Sequence, residues 1–453
     1  MEPFKFYLIT DTHYFATKLG CHGEAYKEFM KGEQKCFAET EAINKAAFKW
    51  LNEAQDADTV LIAGDLSFNG EKESHLEFIE LLKSLKAAGK KIFVITAGHD
   101  FKEHPFCFDD EGRHEPEGTK REELFDLYYE YGFKDAIAVD KDSLSYVAQL
   151  CDGVRLLALN NDGDKTESNT YTARQIEWIL RQTKKARDDG QMMFAMNHYP
   201  LVPANPVFGL VGDAVMKNAD YITSMLADEG VHLAFTGHMH NQSIKMKLSD
   251  AGNRFWDVCT GSLIGCPASM RLVTIKDKAH VDIKTLPVPE FEWDMEGLTN
   301  DEYFTRQFDI MINTMLDAAE HDPARILRKV GMKDAPDALA KIVSAFGKAI
   351  NTATVGEVAA KVHAKCPAGV KDKPFRELAL EIVRNMFLGN APFVEGTDEY
   401  EVIFAVLKRF SPVFNILAKT VKVGGKPLDV PELVKYTIGH YGVDENNTEL
   451  TLC

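Results

Sequence analysis

The chain has 453 residues, a formal net charge of -17, 45% hydrophobic residues and 27% charged residues. This is the composition of a globular protein too long for one ordinary core, so two domains are expected. An acidic surface repels polyanions and anionic membranes, which argues against nucleic-acid and membrane partners and favours a small substrate.

Residues 1–290 alternate strand and helix. Lys5 to Thr10 (KFYLIT) reads as a short buried strand, and because it runs straight into Asp11 and His13 it is not read as a signal peptide. Ile43, Ala47, Trp50 and Leu51 mark a helix, Thr59 to Ala63 a strand, Leu76, Ile79 and Leu82 a helix, and Ile92 to Thr96 a third strand. Strands are also predicted over 143–149, 154–160, 192–196 and 232–235, with a helix around Arg174 to Arg181. From Asn241 the pattern turns to short strands: 243–247, 254–259, 272–275 and 281–284. The implied architecture is a four-layer α/β/β/α sandwich, two packed sheets with helices outside.

The pattern changes after Pro287-Val288-Pro289. Thr299 and Glu302 form a capping box, and Phe304, Phe308, Met311 and Met315 make one helical stripe. Another helix starts at Pro374, carries Phe375, Leu378, Ile382 and Met386, and stops at Gly389. The predicted division is a catalytic domain over 1–292 and an all-α domain over 293–453. The helical domain is expected either to cover the cleft or to mediate oligomerisation. The charge-poor stretch 192–212 is broken by Pro200, Pro203 and Pro206 and cannot be a membrane helix. The eight cysteines include no CxxC pair, read as reduced thiols and point to the cytoplasm.

The chemistry-bearing residues fall at strand ends. Asp11-Thr12-His13 follows the first strand, Gly64-Asp65 the second and Gly98-His99-Asp100 the third. Asn197-His198 and Gly237-His238-Met239-His240 follow two later ones. Ligands of open α/β sheets bind beyond the carboxyl ends of the strands, so these residues are expected to meet at one edge. Two Asp and four His suit a pair of divalent ions; imidazole favours Fe, Zn and Mn, and a carboxylate can bridge. The other histidines read as core or surface residues, with His75 and His104 near enough in sequence to lie by the cleft. Tyr199, Phe208 and Phe101 could stack on a substrate ring, although core packing explains aromatic residues more often. No GxxxxGK[ST] phosphate loop occurs.

Taken together, DxH, GD, HD, H and GHxH resemble the ordered signature of calcineurin-like metallophosphoesterases over residues 5–285. Gly64 to His75 (GDLSFNGEKESH) is similar to bacterial members with a helical C-terminal domain, some of which resemble class III cyclic-nucleotide phosphodiesterases. The resemblance implies that Asp11, His13, Asp65 and His240 hold one metal. Asp65, His198 and His238 would hold the other, with Asp65 bridging. It implies Mn or Fe, with Zn as the alternative. His99 would contact the phosphate and protonate the leaving oxygen, and Asp100 would hold the other imidazole nitrogen. One departure is Gly98, which occupies the position of a metal-ligating Asn; Asn161 is a candidate to fill that gap and, with Tyr199, a candidate substrate contact. Activity is expected on a small phosphodiester, a cyclic nucleotide among the candidates, by a metal-activated hydroxide without a covalent intermediate. A phosphomonoesterase or pyrophosphohydrolase, and a metal-binding protein with degenerate catalysis, are the competing readings.

Overall fold

The computed structural model describes residues 2–161, 169–210, 213–329, 337–420, 422–423 and 426–453. In chain order, the first part comprises β1 (Phe4–Ile9), α1 (Glu24–Met30), α2 (Thr40–Glu53), β2 (Thr59–Ala63), α3 (Lys72–Ala87) and β3 (Lys91–Ile95). A hairpin of β4 (Cys107–Asp109) and β5 (Gly112–His114) follows, then α4 (Leu124–Leu127), β6 (Ala136–Asp140), β7 (Ser145–Cys151) and β8 (Val154–Ala158). Next come α5 (Ala173–Asp188), β9 (Met192–Met196), α6 (Ala219–Asp228) and β10 (Leu233–Thr236). Four strands close this part: β11 (Ser243–Leu248), β12 (Arg254–Cys259), β13 (Ser269–Ile275) and β14 (His280–Pro287).

Two sheets result, ordered β17-β14-β13-β1-β2-β3 and β11-β12-β10-β9-β8-β7-β6, where β17 is Asn447–Thr451 near the chain's end. Strands β1, β2 and β3 are parallel, as are β8, β9, β10 and β12. Alternation along β1 explains the layers. Phe6 faces the second sheet, stacking on Phe194 at 5.4 Å and meeting Phe235 edge-on at 5.3 Å. Its neighbour Tyr7 points the other way, to Trp50 of α2 at 5.4 Å. On the far side of the second sheet, Trp178 and Ile179 of α5 and Ile222 and Leu226 of α6 pack on Leu157, Met193, Ala195 and Ala234. The molecule thus has the expected α/β/β/α sandwich and a helical C-terminal region.

That region holds α7 (Asn300–His321), α8 (Pro323–Lys329), α9 (Asp337–Thr352), α10 (Val355–Lys361), α11 (Phe375–Leu388), α12 (Asp398–Arg409), α13 (Ser411–Thr420) and α14 (Val430–Ile438). Before α14 lies a small hairpin, β15 (Lys422–Val423) with β16 (Lys426–Pro427). The capping box forms, with Thr299 N–H donating to Glu302 at 2.9 Å, and Gly389 ends α11 at φ 65°. Val355, Ala359, Leu378, Val402 and Ile438 centre its core.

The compact units differ from the sequence-based boundaries. One comprises Met1–Ala204, Val215–Gln307 and Val443–Cys453; the other Asn205–Ala214 and Phe308–Gly442. The last residues belong to the first unit because β17 pairs antiparallel with β14, burying Leu450 opposite Val281. Phe208 packs on Phe387 within the second unit, at 5.9 Å between rings, as a core residue. Val211 and Gly212, inside the loop read over 203–213, lie outside the described residues.

Candidate metal centre

The carboxyl ends of β1, β2, β9 and β10 deliver all six candidate ligands to one place. Asp11, His13 and His240 form one cluster and Asp65, His198 and His238 a second, each with ligand atoms within 4.8 Å of one another. The backbone fixes this convergence across both sheets. Asp11 N–H donates to Gly64 carbonyl at 3.1 Å, His13 N–H to Asp65 carbonyl at 2.9 Å, and Gly237 N–H to His198 carbonyl at 2.9 Å.

Holding them there requires unusual backbone. Asp11, His13, Asp65, His238 and His240 all have positive φ, between 35° and 68°. Left-handed conformations of non-glycine residues cost free energy, and five in one constellation mark strain gathered at a site. The flanking glycines serve close approach. A Cβ on Gly237 would lie 2.1 Å from Thr10 Oγ1 and 2.3 Å from Asp11 Oδ2. One on Gly64, at φ 92°, would lie 2.8 Å from His198 Nδ1.

The donor atoms fit a pair of divalent ions. His13 Nε2 and His240 Nε2 face each other at 3.1 Å, and Asp11 Oδ1 lies 3.6 and 3.2 Å from them. Asp65 Oδ2 is 3.0 Å from His198 Nε2 and 3.7 Å from His13 Nε2, so this one oxygen reaches both clusters. His198 Nε2 is buried without a well-formed hydrogen bond. Such crowding of buried acceptors calls for cations between them. His198 Nδ1 donates to Ala63 carbonyl at 2.8 Å, which fixes the tautomer that turns Nε2 inward. His13 Nδ1 is buried without a partner among the described residues, and nothing in its surroundings explains that.

The charges respond to this crowding. Burial opposes ionisation of Asp11, yet His198 and His240 hold it well below the usual carboxylate range. Asp65 is lowered in the same way, by His198 and His99 against burial. Burial works against a charged His198, but Asp65 and Asp11 push it up to about 10. His13 goes the other way, lowered by burial and then by Lys35.

His99 stands beside the first cluster, its ring edge-on to His13 at 4.8 Å, and its backbone N–H donates to Asp65 Oδ1 at 3.0 Å. Burial lowers its imidazole to about 4. The expected role of Asp100 is corrected here: His99 Nδ1 is held by the Phe68 carbonyl at 2.6 Å, not by Asp100. The Asp100 carboxylate turns inward and accepts from the backbone N–H groups of Leu66, Ser67 and Ala97 at 2.7, 2.9 and 2.8 Å. It is a brace for the Asp65 loop, because adjacent residues in this turn send their side chains apart. Burial and the Asp65 carboxylate raise its pKa well above the usual value.

Tyr199 packs its ring on His238 at 3.8 Å, so it backs a candidate ligand. Asn161 is buried and donates to Asn169 Oδ1 at 3.2 Å. Around Gly98, a Cβ would meet nothing within 4 Å, and its φ lies outside the left-handed region. Beyond the motifs, the structure adds the Ala63 and Phe68 carbonyls, the buried Lys35 and the half-buried Gln34, for which the sequence carries no periodic or motif signal.

A model of the calcineurin-like phosphoesterase family matches residues 4–242, more than half of the chain. The chain belongs to that family and is a hydrolase acting on phosphoester bonds. Similar solved structures include a dimetal phosphatase from Danio rerio, at 14% identity over 63% of this chain and 97% of that one, TM-score 0.46. A purple acid phosphatase from yellow lupin (Lupinus luteus) gives 14% identity over 64% and 52%, TM-score 0.42. A 5'-nucleotidase precursor from Thermus thermophilus gives 12% identity over 69% and 59%, TM-score 0.39. No curated protein matches the chain. Among the described residues no helix is long and apolar enough to cross a membrane.

Proposed function

We propose that the chain hydrolyses a small phosphodiester at a dinuclear centre held by Asp11, His13, Asp65, His198, His238 and His240. The observation that carries this is the pair of three-residue clusters linked through Asp65 Oδ2. Mn or Fe suits the mixed carboxylate and imidazole set, with Zn as the alternative. Bound there, two such ions would supply Lewis-acid stabilisation of phosphoryl charge and a more acidic water.

The chain's own residues do the rest. The Phe68 carbonyl fixes His99 with Nδ1 as donor, so Nε2 faces away from that contact as the atom free to take up and pass on a proton. A neutral imidazole cannot protonate a leaving oxygen. Substrate negative charge, by favouring the imidazolium, raises the His99 pKa and loads Nε2 with a proton that passes to the leaving group. Asp65 orients the same residue through its backbone N–H. The acidic surface disfavours polyanionic substrates, and the resemblance to cyclic-nucleotide phosphodiesterases makes a cyclic nucleotide the first compound to try. Eight cysteines spread along the chain without a CxxC pair suit a reducing compartment such as the cytoplasm.

The test compares bis-p-nitrophenyl phosphate with p-nitrophenyl phosphate on chelated and Mn²⁺-reloaded protein. Expected is hydrolysis that vanishes on chelation, returns with Mn²⁺ and favours the diester. Full activity in protein free of metal by elemental analysis sinks the dinuclear reading, and preference for the monoester replaces the diester by a phosphomonoesterase.

A further inference from the structure

Lys35 lies between α1 and α2 in no motif, yet its side chain is only 7% exposed. Buried ammonium groups are rare unless paired. Its nearest carboxylate is Glu33, at 3.8 Å beyond hydrogen-bond reach, and its Nζ donates no hydrogen bond among the described residues. What it has is the face of Phe68, 4.4 Å from the ring centroid, in a ring that also stacks on Phe37 at 3.9 Å. A cation–π contact leaves the three N–H donors of an ammonium unused.

The surroundings place this idle cation beside the candidate centre. The preceding residue, Gln34, donates to the backbone carbonyls of His240 at 3.4 Å and Cys266 at 2.7 Å. Cys36 N–H donates to Ile264 carbonyl at 2.8 Å, so the segment is tied on both sides of Lys35. Phe68, under the ammonium, meets His13 edge-on at 6.1 Å and holds His99 through its carbonyl. The field of Lys35 depresses both the His13 and His99 imidazoles, second to burial in His13 and behind burial and Asp65 in His99.

We propose that the Lys35 ammonium binds a phosphoryl oxygen of the substrate on the His13–His99 side of the candidate centre, because its own carboxylate partner, Glu33, stays beyond hydrogen-bond reach. The inference rests on the phosphoester reading and adds a substrate-binding residue to it. A buried cation of this kind costs stability in the free protein and recovers it when a phosphoryl oxygen accepts its hydrogen bonds.

The experiment uses the full, Mn²⁺-loaded chain with inorganic phosphate as probe, by titration calorimetry and by inhibition of diester hydrolysis. Lys35→Met should weaken phosphate binding roughly 10- to 100-fold, the range of a lost charged hydrogen bond. It should raise KM more than it lowers kcat, keep the metal content, and leave Tm unchanged or higher. Lys35→Arg should recover part of the phosphate affinity. Phosphate bound equally by Lys35→Met and the parent overturns the proposal alone, as does a lowered Tm with phosphate affinity intact. If Lys35→Met does not fold, Lys35→Gln carries the same comparison. A parent protein that neither hydrolyses phosphoesters nor binds phosphate overturns this proposal together with the reading beneath it.

Discussion

The two halves of the candidate centre use the same side chains but are closed differently. Asp11, His13 and His240 are all buried, and Asp11 is further held by Thr10 Oγ1 at 2.7 Å and His238 N–H at 3.0 Å. In the other half His238 is only half-buried, Tyr199 covers its ring, and the turn at Gly98 leaves open space. Symmetric chemistry therefore rests on unequal support. The first half is pre-organised by packing, while the second has three candidate protein donors, with open space around Gly98. The second site should be the weaker, and three substitutions test how far that difference goes.

The largest effect is expected from Asp65→Asn. Its Oδ2 serves both clusters and its Oδ1 accepts the His99 N–H. The amide oxygen keeps a neutral acceptor but loses the charge, so both Mn²⁺ sites should weaken by at least about 100-fold. His238→Ala should weaken the second site alone. Calorimetry showing Asp65→Asn to affect one site only would remove the bridging role and make the halves independent.

Gly98→Asn should narrow the gap between the halves. The added side chain enters unobstructed space from ordinary backbone, beside Ala97, which packs near Gly64 and His198. An amide oxygen there should tighten the second Mn²⁺ site by roughly 10- to 100-fold and leave the first unchanged. A single Mn²⁺ site in both parent and variant would end the dinuclear reading; an unchanged second site would place Gly98 away from it.

How much of this was legible follows from range. Strand ends carrying Asp and His within short motifs reveal themselves locally, because short continuous apolar runs stop where those residues begin, and every candidate ligand falls at such a stop. The strand Asn447–Thr451 was hidden: Asn-Thr-Glu-Leu-Thr has no apolar alternation, and its pairing partner lies more than 160 residues earlier. Asp100 was misassigned because adjacency to His99 says nothing about where a carboxylate points; three backbone donors from elsewhere decide it. The positive φ values at five candidate ligands and the burial of Lys35 are likewise products of tertiary contact, invisible to spacing.

The smallest effect concerns the turn under the weaker half. His75 of α3 is buried, with Nε2 donating to the Asp100 carbonyl at 2.9 Å and Nδ1 accepting from Tyr128 Oη at 2.6 Å. Burial lowers its pKa from 6.5 to about 4. An unfolded chain takes up the proton first as pH falls, so His75 contributes stability above pH 6.5 and loses it as pH drops toward 4. Between pH 7.5 and 5 the loss should be roughly 2 kcal/mol. His75→Gln removes the titration, so its urea midpoint should fall less steeply with acid than the parent's, with equal Mn²⁺ affinities at pH 7.5. Parallel stability curves for the two proteins would show that His75 titrates normally and adds no acid sensitivity to the turn bearing Gly98 and Asp100.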